Sequence, residues 1–168
     1  MAETDKIYDS KVKFDGLFDF KALYNFVSKW LSTYGYGVIE EKSYTEKIKP
    51  EGKELEVIWN ARKSVSDYFM FLLKITFRAF GMSSVEVQKG DVKIKLNKGS
   101  VEISISGLLE KDYESRWETS PFNKFMRGVY DRYIIKSRIE SYEGKIMEEV
   151  DELCAQLKSY LEMEGKRF

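Results

Sequence analysis

The residues with the clearest chemical potential form one short segment between a sheet-like pattern and a helix-like pattern. They are Glu110, Asp112, Glu114, Arg116 and Trp117. Neighbouring carboxylates can perform acid–base chemistry or bind Mg²⁺ or Ca²⁺. The spacing of a calcium-binding loop is absent, however, and the helix dipole also favours acidic residues before a helix. We therefore expect a helix cap and linker here, with a ligand or metal site as the alternative.

Histidine is absent from the chain, and Cys154 is its single cysteine. This composition excludes Ser-His-Asp and Cys-His catalysis, because no imidazole can serve as the general base. It also excludes a zinc site of the usual kind, which needs several histidine or cysteine ligands. We expect a non-enzymatic protein without a cofactor; the enzyme alternative is metal-dependent hydrolysis through Glu110, Asp112 and Glu114.

Length and composition predict one globular domain over residues 1–168. Hydrophobic residues make up 43% of the 168 and charged residues 33%, which is too apolar for a disordered chain and too charged for a membrane protein. The longest apolar run, 68–73, is far shorter than a membrane-spanning helix, and residues 1–6 are polar where a signal peptide would be apolar. With a single cysteine, these features favour a cytoplasmic protein without an integral membrane segment.

The charged residues balance, with 28 Lys and Arg against 28 Asp and Glu. We expect Lys95 to face Glu102 and Glu86 to face Lys93 across two hairpins, so that charges of opposite sign alternate from strand to strand. Such pairs stabilise a sheet and cancel the long-range field that would attract nucleic acid. We therefore expect no nucleic-acid partner.

Two regions have the spacing of helices with one apolar face. The first begins at Asp19, a suitable N-cap, and ends at Gly35. The second begins at Ser120 and Pro121, keeps one apolar face from 122 to 133, and continues as a second stretch from 139 to 161. Gly144 marks either a bend or a tolerated glycine in this C-terminal region.

Seven segments are predicted as strands, namely 7–14, 38–48, 55–61, 68–80, 85–87, 92–96 and 101–105. The segment 38–48 alternates poorly and is rich in Glu and Lys, as expected of an edge strand. The Lys89-Gly90-Asp91 and Asn97-Lys98-Gly99 sequences separate the last three segments. Both place glycine where a hairpin needs positive φ, so we expect two tight turns.

The order of these elements predicts an α+β fold, with a curved antiparallel sheet of about six to seven strands, one helix after the first strand and a long C-terminal helical segment. This order is similar to the helix-grip architecture of START-like and Bet v 1-like ligand-binding domains, in which a curved sheet wraps a long C-terminal helix. Those families usually have two helices after the first strand, whereas this chain has one. The resemblance implies a cavity for an apolar ligand between sheet and helix.

An apolar group interrupts the charged face of the predicted sheet. Its members are Ile58, Met70, Leu72 and Leu108. The helix over 122–133 is expected to cover it, because that helix must bury its own apolar face. If the group is exposed instead, it marks a protein interface or a membrane contact.

Two functions are consistent with these patterns. The first is a non-enzymatic binding or assembly module that uses the apolar group and the amphipathic C-terminal helix to bind a protein partner or a second copy. The alternative is a carrier of an apolar small molecule in a cavity between the sheet and the C-terminal helix.

Overall fold

The protein is an α+β domain built on one antiparallel sheet. The computed structural model describes residues 3–66, 68–111, 121–129 and 136–167. In chain order the elements are β1 (Glu3–Phe18), α1 (Phe20–Thr33), β2 (Val38–Lys49), β3 (Gly52–Ser64), β4 (Phe69–Lys89), β5 (Val92–Lys111), α2 (Pro121–Val129) and α3 (Lys136–Arg167). The sheet order is β1-β5-β4-β3-β2, so β2 to β5 form a meander and β1 pairs with the last strand of that meander.

The sheet has five strands in the described chain, and the prediction of six to seven was wrong. The predicted turn at Gly90 is confirmed, with β4 ending at Lys89 and β5 beginning at Val92. The predicted turn before Gly99 is instead a continuous part of β5. Similarly, the predicted break after Phe80 is a β-bulge inside β4, where Gly81 has a φ of 58°.

A close contact between strands explains why position 99 is a glycine although the chain forms no turn there. A Cβ atom at this position would lie 2.8 Å from the carbonyl oxygen of Phe80 on β4. Gly52 meets the same bulge from β3, since its Cβ would lie 2.6 Å from the carbonyl carbon of Gly81. The glycines therefore allow three backbones to approach at the bulge.

The strand register differs from the expected one, but charges of opposite sign still face each other. Glu86 pairs with Lys95 rather than Lys93, and Glu102 lies between Lys13 and Arg78 rather than opposite Lys95. Since the hairpin closes through only two residues, all of its pairs shift relative to the predicted ones.

Helices α1 and α3 pack on the same face of the sheet, which we call the inner face. The predicted N-cap of α1 is confirmed, because Asp19 Oδ1 accepts a hydrogen bond of 3.1 Å from the Ala22 amide. Asn97 adds a second cap from β5 by accepting from the Phe20 amide. The buried residues of α1 are Phe20, Leu23, Val27, Trp30 and Leu31.

Helix α3 runs through Gly144 and buries one apolar stripe against β1 and β5. This stripe consists of Ile146, Val150, Leu153, Leu157 and Leu161. At Gly107 the helix lies directly on β5, where an added Cβ would lie only 2.3 Å from Ile146 Cγ2. The C-terminal helix is thus part of the core.

Helix α2 begins at Pro121, as predicted, and is described as far as Val129. Its Phe122 and Phe125 side chains are 69% and 67% exposed. Of the helices in the described ranges, none has the length and apolar composition needed to cross a membrane.

Candidate functional site

A half-open pocket of about 500 Å³ lies at one end of the sheet. We call it the sheet-end pocket. The side chains of Arg62, Lys63, Ser64, Met70 and Glu110 line it, together with Gly35 and Gly37. A volume of this size is within the range that binds small molecules in proteins.

Unequal strand lengths create the pocket. Val38, at the beginning of β2, pairs with Arg62 of β3, so the last two residues of β3 extend beyond their neighbouring strand. The connection between α1 and β2 closes this side. Its Gly35 has a φ of 89°, and a Cβ there would lie 3.2 Å from Lys63 Cδ, so glycine gives the lysine room to pass.

Arg62 points to the outer face of the sheet, where it pairs with Leu72 in the β3–β4 register. Its Nε atom is buried and has no hydrogen-bond partner among the described residues. A buried donor without an acceptor costs about 1–3 kcal/mol, so this guanidinium gains energy from any acceptor that reaches it.

Glu110 lies on the opposite side of the pocket. It pairs with Met70 across β4 and β5, which places an apolar side chain between the carboxylate and Arg62. Within the described chain, neither Glu110 nor Arg62 forms an ion pair.

Lys63 lines the pocket but belongs to a buried network beneath it. Its Nζ atom donates to Glu149 Oε1 of α3 at 2.5 Å and to the carbonyl oxygen of Tyr34 at 3.0 Å. The ammonium also lies 4.7 Å from the ring centroid of Tyr36. Since the side chains of Lys63 and Glu149 are only 14% and 8% exposed, water screens this pair weakly.

Tyr36 completes the network by donating its hydroxyl to Glu149 Oε2 at 2.7 Å. Burial raises the pKa of Tyr36 far above its usual value, and the charge and hydrogen bond of Glu149 raise it further. The phenol therefore stays protonated and remains a donor over the whole physiological range.

Two further tyrosines bind carboxylates on the same helix. Tyr8 of β1 donates to Asp151 at 2.6 Å, and Tyr34 donates to Glu152. In each case the hydrogen bond to the carboxylate is the main cause of a raised tyrosine pKa. Polar contacts from three parts of the chain thus fix the position of α3 over the sheet.

The predicted apolar group is divided by the sheet register. Leu72 pairs with Leu108, and Met70 lies next to them on β4, so these three form one cluster that we call the outer patch. Ile58 pairs with Thr76 instead, and the row containing Asn60 and Lys74 separates it from the patch. Each outer-patch side chain is partly exposed.

The expected cover of the patch by the helix over 122–133 does not involve its first aromatic residues. Phe122 and Phe125 are largely exposed, and residues 130–133 lie outside the described ranges. Of the acidic segment, Glu110 and Lys111 are described, whereas Asp112, Glu114, Arg116 and Trp117 are not. No group of three potential metal-binding side chains occurs in the described chain.

Sequence reasoning missed Arg62 and the Lys63–Glu149 pair, although the sequence contains a signal for the pair. Lys63 continues the inward-facing positions of β3 after Trp59 and Ala61, and Glu149 lies within the apolar stripe of α3. Two opposite charges at core-facing positions predict a partnership, since an unpaired buried charge is too costly. Arg62 and Glu110 line the same pocket because of the order of the strands in the sheet, and the local sequence contains no signal for that order.

Comparison with protein-family models, curated proteins and solved structures finds no match for this chain.

Proposed function

We propose that this protein is a non-enzymatic assembly module in which α2 of one copy packs on the outer patch of a second copy. The observation that carries this proposal is a pair of complementary apolar surfaces. One is the exposed Phe122 and Phe125 pair on α2, and the other is the partly exposed outer patch of Met70, Leu72 and Leu108.

The spacing of the two phenylalanines suits this role. Residues three apart lie on one side of a helix, so both rings can enter the same surface. Transfer of a large apolar side chain from water contributes about 1.5–3 kcal/mol, which makes two exposed rings a considerable driving force for association. In a symmetric dimer the contact would form twice.

The charge distribution supports contact between identical chains. The formal net charge is zero, so two copies do not repel each other at long range. Across the outer face, Glu102 lies 3.8 Å from Lys13 and Glu56 lies 3.0 Å from Arg78, so charges of opposite sign pair on part of this face.

The carrier alternative and the helix-grip order receive different support. Pairing of β1 with β5, the last strand, together with α3 across the inner face, is compatible with a helix-grip-like order. However, the direct contact between Gly107 and Ile146 leaves no space for a ligand at that point of the sheet–helix interface. We therefore favour assembly over carriage of a ligand.

Light scattering over a concentration series tests the proposal. We expect a concentration-dependent dimer in the wild type, and a monomer after Phe125→Ser or Leu72→Asp, because each change removes one of the two surfaces. The matched control is Ile48→Asp, which alters an 85% exposed residue on β2 and should leave the dimer intact. A wild type that stays monomeric at all concentrations would exclude self-assembly.

A further inference from the structure

The sheet-end pocket brings together two charges of opposite sign that have no partner within the described chain. Some charged side chains on the outer face form ion pairs, for example Glu102 with Lys11 and Lys13. Arg62 and Glu110 line one pocket together, and neither forms an ion pair with another described residue. An exposed salt bridge contributes little, but an enclosed charge gains more from a ligand of opposite sign.

The Arg62 guanidinium is suited to a carboxylate. Its Nε donor is buried and no described residue accepts a hydrogen bond from it, so within the described chain this atom does not hold the side chain in place. A carboxylate can receive two parallel hydrogen bonds from one guanidinium, and this geometry makes arginine a better carboxylate ligand than lysine. A turn of the side chain into the pocket would give Nε the acceptor that it lacks.

Glu110 supplies the complementary preference. A carboxylate ligand alone would be repelled by this side chain, whereas a ligand that also carries an ammonium group would be attracted at both ends. Met70 lies between the two charges and provides an apolar contact for the middle of the ligand. The order of groups along the pocket is therefore cation, apolar side chain, anion.

We propose that the sheet-end pocket binds a small apolar zwitterion, an amino acid or a dipeptide, with its carboxylate on Arg62 and its ammonium on Glu110. The two residues lie on β3 and β5, with β4 between them. Arg62 lies in the row of Leu72 and Leu108, two residues from Glu110, so the two backbones are roughly 12 Å apart, a span that two long side chains can bridge to a ligand of this size. The inference does not depend on self-assembly, but Met70 belongs to both the pocket and the outer patch, so the ligand and a second copy would compete for this side chain.

Dipeptides with blocked ends provide a direct test on the full chain. The probes are Leu-Leu, its N-acetyl form, its C-terminal amide and free L-leucine, with binding followed by calorimetry and by the NMR signal of the Arg62 Nε–H group. We expect Leu-Leu to shift this signal, and each blocked form to bind at least about tenfold more weakly, because one charge-assisted contact is lost. The relative affinities of Leu-Leu and L-leucine identify the natural length.

Variants assign the contacts. Arg62→Gln and Glu110→Gln should each weaken Leu-Leu binding by about tenfold or more without changing the melting temperature greatly. Lys74→Gln is the control, because Lys74 lies on the same face but outside the pocket. Equal binding of Leu-Leu and both blocked forms, absence of binding by any probe, or unchanged affinity in Arg62→Gln would each overturn the proposal.

Discussion

Lys63 and Glu149, separated by 86 positions in the chain, form a buried ion pair whose Nζ and Oε1 atoms are 2.5 Å apart. The contact joins the end of β3 to the middle of α3, directly beneath the sheet-end pocket. Lys63 therefore both lines the pocket and helps to hold the C-terminal helix on the sheet.

Loss of one member of this pair should strongly destabilise the fold. We expect Glu149→Leu to lower the free energy of unfolding by about 3 kcal/mol, because the Lys63 ammonium remains buried without its carboxylate. Urea denaturation measures the change. The Lys63→Met/Glu149→Leu double variant should recover most of the loss, and Glu56→Ala, which breaks an exposed pair, should cost at most about 1 kcal/mol. If Glu149→Leu and Glu56→Ala lowered the free energy of unfolding by equal amounts, this account would be contradicted.

Alkaline pH should weaken the fold through Tyr36. Its pKa is raised in the folded state, so its contribution is fully present below its ordinary pKa of about 10 and is lost as the pH rises toward the folded value. In that interval the free energy of unfolding should fall by about 1.4 kcal/mol per pH unit for this group. Urea titrations at about pH 9 and about pH 11 measure this fall, and we expect the free energy of unfolding to decrease less in Tyr36→Phe than in the wild type. An identical decline in both proteins would be evidence against the buried phenol.

Two glycines provide a matched test of the helix–sheet contact. Gly107→Ala should destabilise by about 1–3 kcal/mol, since the new methyl group would overlap Ile146. Gly144→Ala should stabilise by about 1 kcal/mol, because its Cβ meets nothing within 4 Å and alanine favours a helix. Thermal unfolding of both variants measures the contrast. A neutral Gly107→Ala would mean that α3 does not lie directly on β5.

Local patterns were sufficient for the helices and most strands. The cap at Asp19 and the apolar stripe of α3 could be predicted because both depend on residues close in sequence. The role of Gly99 could not be predicted, because a turn and a close contact with β4 both favour glycine. Only the position of the neighbouring strand distinguishes the two. The same limit applies to the site, where Met70 and Glu110 meet through the pairing of β4 with β5.

Intermolecular cross-linking between α2 and the outer patch tests the central claim of assembly most directly. In a Cys154→Ala background, a chain with Phe125→Cys is mixed with a chain with Leu72→Cys under mild oxidation. We predict a disulfide-linked heterodimer, and no such product when Val92→Cys, which is exposed on the β4–β5 hairpin, replaces Phe125→Cys. Equal yields from the two mixtures, or no heterodimer from either, would contradict the proposal.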